Sequence, residues 1–468
     1  MMKRRFFHFL AAIALTQEVF ATDVTTTPGR LAERLAETDV TDRILRISGI
    51  LGPDDFETLR NLEGVDRLDL GNASLTEALL TAGLVESGHW PMSTSLPAYA
   101  LFATSYREII LPPTLTHIRE GALASTAVEN LAIPEGVEAI GAYALYEAAS
   151  LKTLTLPTTL LSIGTSAFDG CSALTSINLG ATKVTALPYR CLARTSALSS
   201  AELSEIITAG EEALYGSGIK NIDMPAARSI GSFAFAGMER LETVNLAGGA
   251  VIGTGAMMNC PKLKSVTGTP AEIPDLFAAE SRAYSPADAM RQATQVGDFA
   301  FANTAADTFV LLPGLSRIGG DAFAGCSDIY EIDASALAGF IPETSPTVFR
   351  GVSTESVRLK VAKGCENIWQ NHPVWGYFLI YSGNLNNTDQ IMNEETGMTF
   401  RADSEGFHAA SPLPGITIEV YTLEGHRVAA AGTRDSELHL PLSSLPAGTL
   451  VGVARDSEGG IRTLKIIH

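Results

Sequence analysis

The sequence predicts a right-handed, β-rich solenoid of about eleven or twelve coils. An α/β cap is expected at its N-terminal end and a small all-β, immunoglobulin-like sandwich at its C-terminal end. Three observations lead there. One phrase recurs at fixed phase: IGTSAFDGCSALTSINL at 163–179 follows IGAYALYEAASLKTLTLP and precedes IGSFAFAGMERLETVNL and IGGDAFAGCSDIYEID. The recurrences are about 21–24 residues apart, a period typical of stacked coils. Each phrase also ends on an alternating segment such as LTSINL, where Leu174, Ile177 and Leu179 are apolar while Ser176 and Asn178 are polar. Such alternation marks a short strand with one buried face.

The first element is a leader. Lys3, Arg4 and Arg5 precede a short apolar run, Phe6 to Leu15, and Val19-Phe20-Ala21 forms a small-residue cleavage site. Residues 1–21 are therefore expected to be a secretory signal peptide, because the apolar run is too short to span a bilayer. No cysteine follows the cleavage site to carry a lipid. No later apolar run reaches about 18 residues, so no transmembrane segment is expected after cleavage.

Residues 22–95 are expected to cap the coils. PGRLAERLAE, Pro28 to Glu37, has helical spacing of Leu31 and Leu35, and RILRISG reads as a strand. PDDFETLRNL reads as a helix in which Asp54 and Glu57 have the spacing of a capping box, and VDRLDLG is the next strand. Terminal units must differ from the rest because their outer face meets water.

The solenoid is expected over 96–381, in the period range of leucine-rich repeats. Units open near Leu96, Ile118, Ile140, Ile163, Leu187, Ala209, Ile230, Ile252, Val296 and Ile318. The step from Ile252 to Val296 is 44 residues, twice the usual one, so a degenerate unit is expected inside it, opening at Ile273. A last, irregular unit begins near Phe340. The recurring glycines (Gly141, Gly164, Gly231, Gly253, Gly297 and Gly319) fit either a turn of positive φ or a close backbone approach. Residues such as Leu145, Phe168, Phe235, Met257, Phe301 and Phe323 are expected to plug the interior. Pro112, Pro134, Pro157, Pro225 and Pro313 end the strands, since proline has no N–H for a ladder. Cys171, Cys260 and Cys326 share one slot of the repeat and are expected to be buried thiols, not disulfide partners.

After residue 381 the texture changes. SGNLNNTDQIMNEET makes a polar linker, 382–397, and 398–468 carries strand-like runs separated by glycine turns.

The pattern IGxxAFxGCxxLxxIxLP closely resembles the BspA-like leucine-rich repeats of bacterial surface proteins, over roughly Leu96 to Ile380. VRLKVAKGCENIWQNHPVWGYF, Val357 to Phe378, resembles the closing turn of that family. The Leu187 unit departs by having Cys191-Leu192 in place of Ala-Phe. The C-terminal stretch resembles the sorting domain of proteins exported by type IX secretion in Bacteroidetes. Val420 to Val428 (VYTLEGHRV), Leu445-Pro446-Ala447-Gly448 and the basic-apolar end Arg462 to Ile467 carry this likeness; Leu450 stands where that family has an aromatic residue. An accessory β-sandwich without a sorting role would also fit these residues.

Composition narrows the functions. A net charge of −19, with no basic stripe, argues against nucleic acid. Metalloprotease, P-loop and hydrolase-elbow motifs are absent from the sequence, as is any Cys/His spacing for a metal. His372, His408, His426 and His439 read as structural, and Trp369 and Trp375 as core plugs. No catalysis and no cofactor are expected. The remaining signal is a row: Thr155, Asn178, Glu202, Asp223, Asn245, Thr267 and Asp333 occupy the outward position between the last two apolar residues of their strands. Stacked strands would set them about 4.8 Å apart as a polar, partly acidic ladder. Any solvated sheet also carries polar outward positions. Extended faces of solenoids bind partners, and the family resemblance implies an exported, adhesin-like protein recognising a protein or glycan. The alternatives are an enzyme-associated surface protein acting on polysaccharide, or a passive structural component.

Overall fold

A computed structural model describes residues 21–38, 40, 42–78 and 90–382, and in the C-terminal part 391–392, 399–402, 406–411, 415–422, 426–441, 443, 445–446, 449–457 and 461–467. The expected signal peptide lies outside these residues except for Ala21, as does most of the expected linker. Two compact units are present, the first ending at Ser382.

The first unit is a solenoid of parallel strands. Take the Ile of the IG pair as slot 1 of a coil. Slot 1 and the residue before it form a two-residue strand, as Ser162–Ile163 does beside Ala139–Ile140. These strands make three four-stranded ladders, and so twelve coils. The coil inferred at Ile273 is one of them: Glu272–Ile273 pairs with Gln295–Val296. The last coil opens at Thr344, within Glu343–Thr344, four residues after the expected start near Phe340.

Slots 4 to 8 form a second kind of ladder. The N–H groups of Tyr143, Leu145 and Glu147 donate to the carbonyls of Thr165, Ala167 and Asp169 in the next coil, each at 2.8 Å. The same trio of bonds recurs along the stack; Phe233, Phe235 and Gly237 donate to Thr254, Ala256 and Met258. To aim these groups, slots 4 and 8 take the left-handed backbone. Tyr143 and Glu147 both have φ of 56°, although neither is glycine. A left-handed residue with a side chain costs roughly 1–2 kcal/mol. Hydrogen bonds to the neighbouring coil offset that cost.

The slot 2 glycines answer to the second of their two expected reasons. Gly141, Gly164, Gly231, Gly253, Gly297 and Gly319 do not take positive φ. A Cβ on Gly141 would stand 2.8 Å from the backbone of Arg119 and Glu120, one coil back. Glycine is needed there because two backbones nearly touch.

Slots 5 and 6 fill the interior, and Ala144, Leu145, Ala167, Phe168, Ala234 and Phe235 are fully buried. Toward the C-terminal end, Phe277, Phe301, Phe323 and Phe349 form a spine with successive centroids 6.0, 5.5 and 5.8 Å apart. In most coils slot 9 takes a small side chain that donates inward, although Ala148, Met238 and Val352 stand there in three of them. Thr104 and Thr126 reach the carbonyls of Leu101 and Leu123, both at 3.0 Å. Cys171, Cys260 and Cys326 donate S–H to the slot 6 carbonyls of Leu145, Phe235 and Phe301 at 3.2, 3.1 and 3.1 Å. All five cysteines are free, and only Cys365 is partly exposed.

The longer strands lie on the remaining side. A nine-stranded sheet starts in the cap with β1 (Thr22–Thr26), β2 (Ile44–Leu51) and β3 (Arg67–Thr76) and runs through Ser200–Ala201. A second sheet holds Asn221–Met224, Thr243–Leu246 and Ser265–Thr267, and a third runs from Thr308–Val310 to Leu379–Ser382. Between the second and third sheets, the coil at Ile273 carries a short helix, Ala287–Met290, directly after Pro286. Helical backbone offers no edge for a parallel strand, so the ladder breaks there.

In the cap, α1 (Leu31–Glu37) and α2 (Pro53–Arg60) share one acidic anchor. The expected Asp54/Glu57 capping box does not form. The N-cap falls two residues earlier, on Gly52, so the side chain that reaches back from the third helical position belongs to Asp55. This buried carboxylate accepts N–H groups from Gly52, Gly29 and Leu31 at 2.8, 2.9 and 2.9 Å. At the other end, Trp369 and Trp375 are fully buried as expected and meet edge to face at 5.5 Å, closing the core.

The second unit is a pair of four-stranded antiparallel sheets. One contains Ile391–Met392, Thr399–Ala402, Gly406–Ala410 and Glu437–Pro441, so the stretch expected to be linker already contributes a strand. The other contains Arg427–Thr433, Ile416–Thr422, Thr449–Arg455 and Ile461–Ile467. Phe400, Phe407, Ile416, Ile418 and Val420 form its core.

Two outcomes are expected. Burial pushes the Cys171 and Cys260 thiols up to about 12, so at pH near 8 a water-soluble thiol reagent should label Cys365 quickly and the other four only on unfolding; fast labelling of several sites in the native protein would contradict the packing. Asp55→Ala strands three buried N–H donors and should destabilise the cap by about 3 kcal/mol, read as lost amide-exchange protection in 22–76 with the distal coils unchanged.

Candidate functional site

The strand face is set by alternation. In Thr153–Thr155, Leu154 points into the core while Thr153 and Thr155 point out, and neighbouring strands repeat this in register. Two outward rows result. The row identified from the sequence is divided among the three sheets. Thr155 is exposed beside Ala132. Asn178 is turned to the backbone: its side chain accepts the Leu156 N–H at 2.8 Å and donates to the Leu156 carbonyl at 3.0 Å, stapling two coils. Glu202 is exposed beside Gly180. Asp333 stands in the third sheet, bound to Ser335 and, at 3.0 Å, to Lys360. Burial alone would raise its carboxyl, but Ser335 and Lys360 outweigh that and hold it below the usual range.

Three members of the row do come together. Asp223, Asn245 and Thr267 face one another across paired strands. Asn245 donates to Asp223 at 2.6 Å, and Thr267 donates to Asn245 at 2.6 Å. The second row runs beside them. Thr243 donates to Asn221 at 2.8 Å, and Lys264 pairs with Glu242 at 2.8 Å, holding that carboxyl below its usual range. The result is a chain of exposed donors and acceptors tied into one another, with acidic groups at Asp223 and Glu242.

The opposite, turn-built side of the coils carries features that the repeat pattern did not reveal. Tyr99, Phe102, Tyr143, Tyr189 and Tyr215 are exposed there. In the same region Asp169 (slot 7), with only 3% of its side chain exposed, binds Arg190 (slot 4) and Arg194 (slot 8) of the next coil at 2.9 and 2.7 Å. Arg194 also pairs with Glu147 at 2.7 Å, and Arg190 with Glu212 at 2.8 Å. Asp169, Arg190, Arg194 and Glu212 lie in consecutive coils, 21–25 residues from their partners, while Glu147 reaches Arg194 from two coils back, so only an alignment of slots 4, 7 and 8 would have shown them. Beside this network lies an open cavity of about 460 Å³, bounded by Arg190, Glu212, Tyr215, Phe233, Met258 and Asn259 among others.

Among the described residues, no group of His, Cys, Asp and Glu is arranged to hold a metal, and no helix is long and apolar enough to cross a membrane. The BspA type leucine rich repeat region matches in six copies, over residues 94–216, 194–276 and 294–371. That is more than half of the chain, and the chain belongs to this family. A solved leucine-rich repeat protein from Bacteroides ovatus has the same fold, with a TM-score of 0.51 and 17% identity, over 77% of this chain and 92% of that one. The pneumococcal vaccine antigen PcpA shares 13% identity at a TM-score of 0.33, over 78% of this chain and 84% of that one. A leucine rich cell surface protein of Faecalibacterium prausnitzii shares 16% identity at a TM-score of 0.25, over 70% and 75% of the two chains. No curated protein matches the sequence.

Asp169→Ala leaves two arginines without their shared buried partner and should cost about 2 kcal/mol, less than a fully buried pair because both guanidiniums reach solvent. A denaturant midpoint equal to that of the native chain would mean the network is idle.

Proposed function

We propose that this chain is an exported, non-catalytic binding protein that holds a macromolecular partner, protein or glycan, against the strand face of its solenoid. The observation carrying this reading is the exposed chain Asp223–Asn245–Thr267, with Asn221, Thr243, Glu242 and Lys264 beside it. Its donors and acceptors repeat at the strand spacing of about 4.8 Å, which suits a partner that is itself extended and polar. Many individually weak contacts along such a face add up without any reactive group. The residues Lys3 to Ala21 support export, and the likeness of Val420 to Val428 and of Arg462 to Ile467 to type IX sorting domains supports delivery to the cell surface or beyond.

The test uses the secreted chain against immobilised matrix proteins, bacterial cells and polysaccharides, with product release followed in the same wells. Saturable binding without turnover is expected. The variant Asp223→Ala/Asn245→Ala/Thr267→Ala should keep the native circular dichroism and lose at least tenfold in affinity. Undiminished binding by that variant removes the strand face from the reading; released product removes the non-catalytic part.

A further inference from the structure

We infer that the cavity on the turn-built side, bounded by Arg190, Glu212, Tyr215, Phe233 and Asn259, is a binding site for an uncharged pyranose unit of a glycan. It is separate from the strand face and does not rest on the reading given for that face.

Size is the first argument. The cavity measures about 460 Å³, and small-ligand sites run from about 300 to 1,000 Å³. It spans four successive coils, since Arg190, Glu212, Phe233 and Asn259 occupy slots 4, 4, 4 and 8 of the coils opening at Leu187, Ala209, Ile230 and Ile252.

The chemistry of the walls is the second. Tyr215 is exposed and Phe233 half-buried, and the two rings lie over glycines of the following coils. Gly237 sits 3.5 Å from the Tyr215 ring, measured to where its Cβ would be, and the Phe233 ring packs against Gly255. With no side chain beneath them, the rings are held as surface platforms. The C–H faces of a pyranose stack on such platforms, while its hydroxyls need donors and acceptors side by side. Glu212 supplies acceptors, Arg190 donors, and the exposed Asn259 amide both.

Electrostatics select the class of ligand. Arg190 enters the cavity already neutralised by Asp169 at 2.9 Å and Glu212 at 2.8 Å. A phosphate or sulfate would have to compete with both carboxylates. A cation would find Glu212 already paired. A neutral polyhydroxylated ring meets no such penalty. The same pairing fixes the wall in advance: buried Asp169 holds Arg190, and Arg190 holds Glu212, so little ordering remains to be done on binding.

The experiment measures binding of the full secreted chain to soluble hexasaccharides of glucose, mannose, xylose, galactose and N-acetylglucosamine, with a sulfated polysaccharide as the charged control. At least one neutral hexasaccharide should bind. Tyr215→Ala/Phe233→Ala should weaken it tenfold or more with circular dichroism unchanged, and Glu212→Gln should weaken it several-fold. The strand-face variant Asp223→Ala/Asn245→Ala/Thr267→Ala should bind it as the native chain does. Silence across the neutral panel, binding of the sulfated polymer alone, or equal affinity for the Tyr215→Ala/Phe233→Ala variant overturns the assignment. Loss of hexasaccharide binding in the strand-face variant alone would move the sugar to that other face.

Discussion

From the coil at Leu96 through the coil at Val296, each coil depends on the coil after it for the hydrogen bonds of slots 4, 6 and 8. The N–H groups of Tyr143, Leu145 and Glu147 have no acceptor within their own turn, and only the carbonyls of Thr165, Ala167 and Asp169 satisfy them. From this requirement much of the fold follows. The coils must lie close enough to bond, so glycine stands at slot 2 where a Cβ would meet the backbone one coil back, as at Gly141 and Gly164. The N–H groups must point along the stack, so slots 4 and 8 must take the left-handed backbone whatever residue stands there. A coil in isolation would leave these groups to water and its Ala-Phe pair uncovered, which is why the chain repeats.

The parts of this arrangement legible in the sequence are those where one residue type has one physical reason. The alternation in LTSINL marked a strand because only a half-buried strand has that period. The doubled step between Ile252 and Val296 located the coil at Ile273 because coil length is fixed by the stack. The left-handed residues were not legible. Tyr143, Glu147 and Asn303 occupy that backbone with φ of 55–56°, and nothing about a tyrosine or glutamate announces it; tertiary hydrogen bonds, not local preference, put them there. Ala287–Met290 was missed for a related reason, as four residues are too few to show a helical period.

The candidate sites differ in the same way. The outward row was readable from strand alternation, yet alternation says nothing about where sheets end. The chain therefore keeps Asp223, Asn245 and Thr267 together while Asn178 turns to bind backbone and Asp333 sits in another sheet with Lys360. On the turn-built side, Asp169, Arg190 and Arg194 meet because slots of adjacent coils overlap. Departure from the repeat at Cys191-Leu192 left the interior unchanged in kind, with both residues buried, and the novelty is all in the charged slots around them.

Slot 9 has a further consequence for what its cysteines mean. Threonine, serine and cysteine all serve there, each handing a proton to a slot 6 carbonyl: Thr304 and Cys326 even share the carbonyl of Phe301. Exchange among them keeps that hydrogen bond, so the slot asks for a small donor and not for a thiol as such. Cys171, Cys260 and Cys326 stand where threonine or serine stands in other coils, whereas Cys191 and Cys365 lie outside slot 9. A cysteine in this slot serves as a donor to a carbonyl and calls for no bridge partner.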